Sequence, residues 1–170
     1  MKTGQKKVML EVREATTGEE MAFARIAPRC DFVNCDLHDM LFGSFDCVSD
    51  ARQRALLAFG KDGVGIGEIF FSLESDGIRG AFARVLSLRS DPLSKLDDAG
   101  RQDSLGIREA LLCGLAYHLS SKNPSAQRIA ATVWKAGDLP AFKAAGFRVE
   151  RETRKPFRHQ GSYFSVSRDI

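Results

Sequence analysis

The chain has 170 residues, 44% of them apolar and 28% charged, with a formal net charge of +3 at pH 7. That profile predicts one folded domain over residues 1–170 and excludes a disordered chain. No apolar run approaches the roughly 18 residues of a membrane helix, and so mild a charge permits an anionic ligand without arguing for nucleic acid.

The opening MKTGQKKVML lacks a signal peptide's apolar stretch, so a cytoplasmic protein with no membrane partner is expected. Its cysteines, Cys30, Cys35, Cys47 and Cys113, are then expected as free thiols. Cys30, Cys35, His38 and Cys47 lack the paired C-x-x-C spacing of a zinc set, and no metal site is expected.

Residues 1–6 read as a frayed start. Val8, Leu10 and Val12 alternate with Met9, Glu11 and Arg13, the period of a half-buried strand. Thr17 and Glu20 form an [ST]xxE capping box for a helix reaching about Ala27, which Pro28 stops. DLHDMLFGSF then predicts a second short helix capped by Asp36, with Leu37, Met40, Leu41 and Phe45 inward. It reads as a connector with its own small cluster or, in an enzyme, as a lid.

Between Gln53 and Leu88 the character changes. RALLAF, VGIGEIFFSL and IRGAFARVLSL predict three strands, joined by the turns KDG and ESDG as antiparallel hairpins. Gly63, Gly65 and Gly67 are not followed by a helix or a Lys-Ser pair, so they mark a bulge or close packing rather than a phosphate loop.

RSDPLSKLDDAGRQDSL, 89–105, is a loop, with at most one helical turn near Leu93 to Leu96. The stretch Asp103 to Leu119 then opens through Gly106 into an apolar helix ending near Ser120. Ile107, Ala110, Leu111, Gly114, Leu115 and His118 fall at helical spacing along it. A helix start has unpaired backbone N–H groups and a positive dipole end, and a glycine there admits close approach, so Ser104 to Arg108 is a candidate anion site. His118 reads as half-buried packing.

RIAATVW, 128–134, is a strand, and Asp138 caps a short helix LPAFKAA that ends at Gly146. Phe147 to Arg151 and SYFSVSRDI are the last strands, with TRKPFRHQG an exposed basic loop between them. The strands flanking the central helix should be parallel through a right-handed crossover. The predicted class is α/β: a mixed, mostly antiparallel six- to seven-stranded sheet flanked by about four helices.

Three stretches resemble the GCN5-related N-acetyltransferase family. LSL, 86–88, ends the strand before the loop. SLGIREALL, 104–112, is similar to the family's Gln/Arg-x-x-Gly-x-Gly/Ala segment and the leucine-rich helix after it. AFKAAGF, 141–147, is similar to its aromatic-x-x-x-Gly-Phe pattern.

The resemblance implies acetyl-CoA as co-substrate. The pantetheine arm would meet backbone groups of Leu86, Ser87 and Leu88, and the pyrophosphate would meet Ser104, Leu105, Gly106, Ile107 and Arg108. If Leu111 and Leu112 set the register, Gly106 takes the first glycine place, Asp103 the usual glutamine or arginine, and Arg108 a usually small residue. The alternative register puts Arg101 first, Ser104 at the first glycine and Gly106 at the second. Phe142 stands where many members carry the general-acid tyrosine. A phenylalanine cannot donate a proton, so its plain reading is a core aromatic.

Amine acetylation needs a held thioester, an oxyanion donor, here a backbone N–H near Leu88, and a base for the ammonium proton. Glu68 is the candidate base: mid-strand among apolar neighbours, with Ile66 and Phe70 on its face by alternation. Its plain reading is a solvated strand residue.

The expected function is N-acetyl transfer from acetyl-CoA to an amine of a small molecule or protein. The alternative is a non-catalytic acyl-CoA-binding or regulatory module of the same fold. A homodimer is left open. Arg151, Arg154, Lys155, Arg158 and His159 carry a third reading, nucleic-acid binding. One tryptophan and two tyrosines give little stacking to support it.

Overall fold

The computed structural model describes residues 10–35, 53–75, 77–78, 80–94, 104–154 and 161–170. In chain order the elements are β1 (Glu11–Arg13), α1 (Thr17–Ile26), β2 (Asp31–Asn34), β3 (Gln53–Phe59), β4 (Gly65–Ser75), β5 (Ala81–Ser90), α2 (Ser104–Lys122), β6 (Ala126–Val133), α3 (Leu139–Ala144), β7 (Arg148–Arg154) and β8 (Ser162–Asp169). The strands form one eight-stranded sheet in the order β1-β3-β4-β5-β6-β8-β7, with β2 pairing β5 off that path. β5 and β6 are parallel, as a helical crossover requires. Every other pair is antiparallel.

The expected class holds. The eighth strand is β2, in a stretch whose four residues are too short for a readable period. Among the described residues there are three α-helices. The helix expected over 36–45, with Asp36, His38 and Cys47, lies outside the described residues, as do residues 95–103 with Arg101 and Asp103.

Four details differ from expectation. The box at α1 uses Thr16 and Glu19, one residue earlier than Thr17 and Glu20, with Thr16 N–H donating to Glu19 at 2.9 Å. Both spacings exist in TTGEE, and Arg13 decides between them, since its two guanidinium nitrogens donate to Glu19 at 2.8 and 2.9 Å. Its hydrogen bonds are the largest cause holding the Glu19 carboxyl at about 2. Pro28 does not simply stop α1 but sits in a 3-10 turn, Ala27–Arg29. Asp138 occupies the cap position of α3 without a capping bond. β7 runs on past Arg151, so that Arg154, expected in the loop, belongs to the strand, because that strand pairs with β8 as far as Arg154↔Ser162. Lys155, Arg158 and His159 lie outside the described residues.

The main core lies between α2 and the sheet. Ile107, Leu111, Leu112, Leu115 and Leu119 are fully buried and cluster with Leu56, Ile69, Phe71, Val85 and Leu88. Two glycines let α2 lie this low. A Cβ on Gly67 would stand 2.6 Å from Ile107 Cγ2, and one on Gly114 would stand 2.4 Å from Val12 Cβ. Gly65, opposite Phe59, borders a register shift in β3–β4, so the glycine series marks a bulge and close packing. A smaller cluster of Phe23, Leu57 and Phe59 lies under α1. Its distance from the main core follows from alternation, Leu56 and Leu57 pointing to opposite faces.

His118 is half-buried, edge-on to Phe71 with ring centroids 6.4 Å apart. Burial pushes its pKa down, against the pull of Glu14. Cys30, Cys35 and Cys113 are free thiols.

Candidate functional site

β5 is where the sheet divides. Its pairing with β6 runs only from Ala81 to Arg84. Against β4 the register skips Leu86, passing from Phe71↔Val85 to Phe70↔Ser87. That bulge turns the strand end, and residues 86–90 no longer face β6.

The edge so released is covered by β2. Asp31, Phe32, Val33 and Asn34 lie opposite Ser90, Arg89, Leu88 and Ser87. Cys35 N–H then donates to Leu86 O at 2.8 Å, and Cys35 O accepts from Thr132 N–H of β6 at 3.3 Å. The segment 31–35 therefore fills the wedge between β5 and β6. Leu86 and Leu88, two apart, present their backbone groups to the same side, so the edge expected to carry an oxyanion donor is paired with the chain itself.

The start of α2 meets the same segment. Ser104 Oγ donates to Asp31 Oδ2 at 3.2 Å, and Arg108 Nη2 lies 4.0 Å from that oxygen. Arg108 also donates to Asp138 Oδ1 at 3.2 Å and to Ser90 Oγ at 3.3 Å. This explains Asp138: its carboxylate serves Arg108 instead of its own helix. Ile107, the neighbour of Arg108, is fully buried, whereas Leu105 is exposed. Of the expected pyrophosphate residues, Ser104 and Arg108 thus present polar groups to a carboxylate, and Ile107 is core. Leu105 points its side chain to solvent.

A second ion pair fixes the entry to β2. Arg29 donates to Asp91 Oδ2 at 2.8 Å, and the same carboxylate accepts from Leu93 N–H and Ser94 Oγ, both at 3.1 Å. Burial alone would raise the Asp91 pKa, but these bonds hold it below the ordinary carboxylate value.

Glu68 stands on the other face. Gly67 and Ile69 turn toward α2, so Glu68 turns toward α1. Its cross-strand neighbours are Leu57 and Arg89, with Arg89 Nε 4.0 Å from Glu68 Oε2. Burial raises its pKa; Arg89 opposes that and Glu20 adds to it. Ile66, expected on the face of Glu68, belongs to the main core, because the bulge beside it breaks the alternation. Arg89 also lies over the Phe32 ring, 5.5 Å from its centroid, so Glu68, Arg89 and Phe32 connect β4, β5 and β2.

Replacement of Glu68 by glutamine tests that environment. A carboxyl whose folded pKa is raised binds its proton more tightly when folded, so its ionisation lowers stability as pH rises through the window above the ordinary value, about 4.3. Glu68→Gln is expected to unfold at higher temperature than the parent at pH 7.5. The gap should close when the melts are repeated near pH 4.

Phe142 is 1% exposed and meets Phe147 edge-on, ring centroids 5.3 Å apart. It is a core residue of α3. Sequence reasoning passed over Asp31, Ser90 and Asp138. Asp31 sits in an irregular stretch, Ser90 ends a strand, and Asp138 has an ordinary cap reading, so none carries a local signal for meeting Arg108. Among the described residues no cluster of three metal-ligating side chains occurs, and no helix is long and apolar enough to cross a membrane.

A mixed sheet that parts between two parallel strands, beside the first turn of a buried crossover helix, is the architecture of an acyltransferase-like α/β fold. No protein-family model matches the sequence, nor does any curated protein. Solved structures do match in three dimensions. The ribosomal-protein-S18-alanine N-acetyltransferase of Escherichia coli is 16% identical with a TM-score of 0.58, over 95% of this chain and 94% of that one. A GNAT superfamily phosphinothricin acetyltransferase from Sinorhizobium meliloti, in complex with AcCoA, is 13% identical with a TM-score of 0.58, over 95% and 89%. A Bacillus subtilis acetyltransferase in complex with CoA is 10% identical with a TM-score of 0.55, over 95% and 99%. The chain has the GCN5-related N-acetyltransferase fold, far diverged in sequence.

Proposed function

We propose that the chain, as one acetyltransferase-like domain in the cytoplasm, binds an acyl-CoA, acetyl-CoA first, and transfers its acyl group to an amine of a small molecule or protein. The observation that carries this reading is the donor set at the start of α2. Ser104 donates to the Asp31 carboxylate at the helix N-terminus and the Arg108 guanidinium lies 4.0 Å from it, so the chemistry there suits an anion such as a phosphate. Ser104 to Arg108 would hold the pyrophosphate, and the backbone edge at Leu86 to Leu88 the amides of the pantetheine arm. The bound donor supplies a thioester carbonyl.

Glu68 is suited to take the ammonium proton. Its raised pKa comes from burial, and a base poised nearer neutrality exchanges protons more readily. The departing thiolate takes its proton from water, since Phe142 has none to give.

Calorimetry with CoA tests the reading. Arg108→Ala should weaken binding at least about tenfold, the loss of one charge-assisted hydrogen bond. An unchanged affinity would remove the start of α2 from the site.

The second reading, a non-catalytic acyl-CoA-binding or regulatory module, is favoured by the burial of Phe142. It predicts CoA binding without thiol release from acetyl-CoA across a panel of amines.

A further inference from the structure

We propose that β2, with Asp31 at its head, is an intramolecular plug of the acyl-donor cleft, and that the chain holds itself in a closed state which the donor must open. The inference rests on the acyl-CoA reading above and adds to it a competitor built into the chain.

Three observations converge on segment 31–35. Its backbone pairs along Ser87 to Ser90 and reaches Leu86 O through Cys35 N–H. Its far end also bonds across to Thr132 of β6, so it occupies the wedge itself and not merely one wall. At the near end Asp31 gives its carboxylate to Ser104 and lies beside Arg108. An acyl-CoA offers the same groups in the same relation, an extended arm with two amides joined to an anionic diphosphate. The segment copies that pattern with a peptide backbone and a side-chain carboxylate, and both cannot occupy the cleft together.

The strand is built to be displaceable. It has four residues, and among the described strands it is laddered to β5 alone. Its Asp31 and Phe32 side chains are exposed, with Phe32 at 48%. Val33 and Cys35 are buried in the main core and hold it down. The hydrogen bonds it gives up at β5 and at α2 are of the kind an incoming donor restores, so the exchange is a competition between two occupants for one set of partners.

The test combines affinity with hydrogen exchange on the full chain. Asp31→Ala removes the carboxylate from a half-exposed side chain and leaves Ser104 and Arg108 in place. It is expected to bind CoA at least about fivefold tighter than the parent, by analogy with other coupling between competing states. In the parent, saturating CoA should speed amide exchange over Phe32 to Cys35 and slow it over Gly106 to Arg108. Equal affinity in Asp31→Ala, or exchange over Phe32 to Cys35 that stays as slow as in the free protein, overturns the plug and leaves acyl-CoA binding standing. Absence of CoA binding in both proteins overturns the acyl-CoA reading, and the plug with it.

Discussion

Phe142→Ala should lower the unfolding free energy by about 3–5 kcal/mol, the range for emptying a buried aromatic site. The side chain is 1% exposed and packs edge-on against Phe147. α3 has six residues, far too few to be helical without tertiary support. It is held by Leu139, Phe142 and Ala145, all buried in the main core. A cavity beneath it therefore loosens the whole turn, including Asp138 and its bond to Arg108. Urea denaturation followed by circular dichroism measures the loss. Phe142→Leu, which refills much of the volume, should lose clearly less. A loss in Phe142→Ala below about 1 kcal/mol would mean that the ring is not the core residue its burial makes it.

The strength of β2's hold can be bounded in the same terms. Burying Val33 is worth about 1.5–3 kcal/mol, and each backbone bond of the ladder about 1 kcal/mol net. With buried Cys35 adding to that hold, the strand is retained by several kcal/mol, part of which an incoming donor's own bonds replace. A ligand that needs the open cleft binds with its intrinsic affinity reduced by the open fraction. Weak CoA binding in the parent is what this arithmetic requires of an intact site.

Much of the sheet is legible in the sequence because its longer strands each carry their own signal. Leu56 and Leu57, Ile69 and Phe71, Val85 and Leu88 lie in apolar runs bounded by Gly-containing turns, and α2 repeats its leucines at helical spacing. The parallel β5–β6 pair follows from the length of the crossover between them. What the sequence could not show is the meeting of segments far apart in the chain. Asp31 and Ser104 are 73 residues apart, and Arg108 and Asp138 are 30. No local period encodes either contact. β2 is itself such a case: DFVN has no pattern of its own and becomes a strand only because the bulge at Leu86 leaves an edge to pair with. Asp138 holds the cap position without a capping bond for a related reason. A cap signal is local, and the nearby guanidinium of Arg108 outbids it.

Gly67→Ala should lower stability by about 1–3 kcal/mol, the range for overpacking a filled core, and should also weaken CoA binding. A Cβ there would stand 2.6 Å from Ile107 Cγ2, 3.0 Å from Arg89 O and 3.1 Å from Leu111 Cδ1. Ile107 and Leu111 are both fully buried, so neither can turn away, and Arg89 O is fixed in the ladder. The strain is relieved by lifting the first turn of α2 from the sheet. That turn carries Ser104 and Arg108, and the bond from Arg108 to the fully buried Ser90 spans the gap that would open. Gly114→Ala is the control. Its Cβ would collide with Val12 Cβ at 2.4 Å, about two turns beyond Ile107 on the same helix face, and a helical propensity gain of about 1 kcal/mol offsets part of the cost. It should lower the melting temperature while leaving the CoA affinity of the folded fraction as in the parent. Thermal melts and calorimetry on the two variants separate the two effects. If Gly114→Ala lost affinity as Gly67→Ala does, the first turn of α2 would be set by the helix as a rigid whole and not by its contact with Gly67.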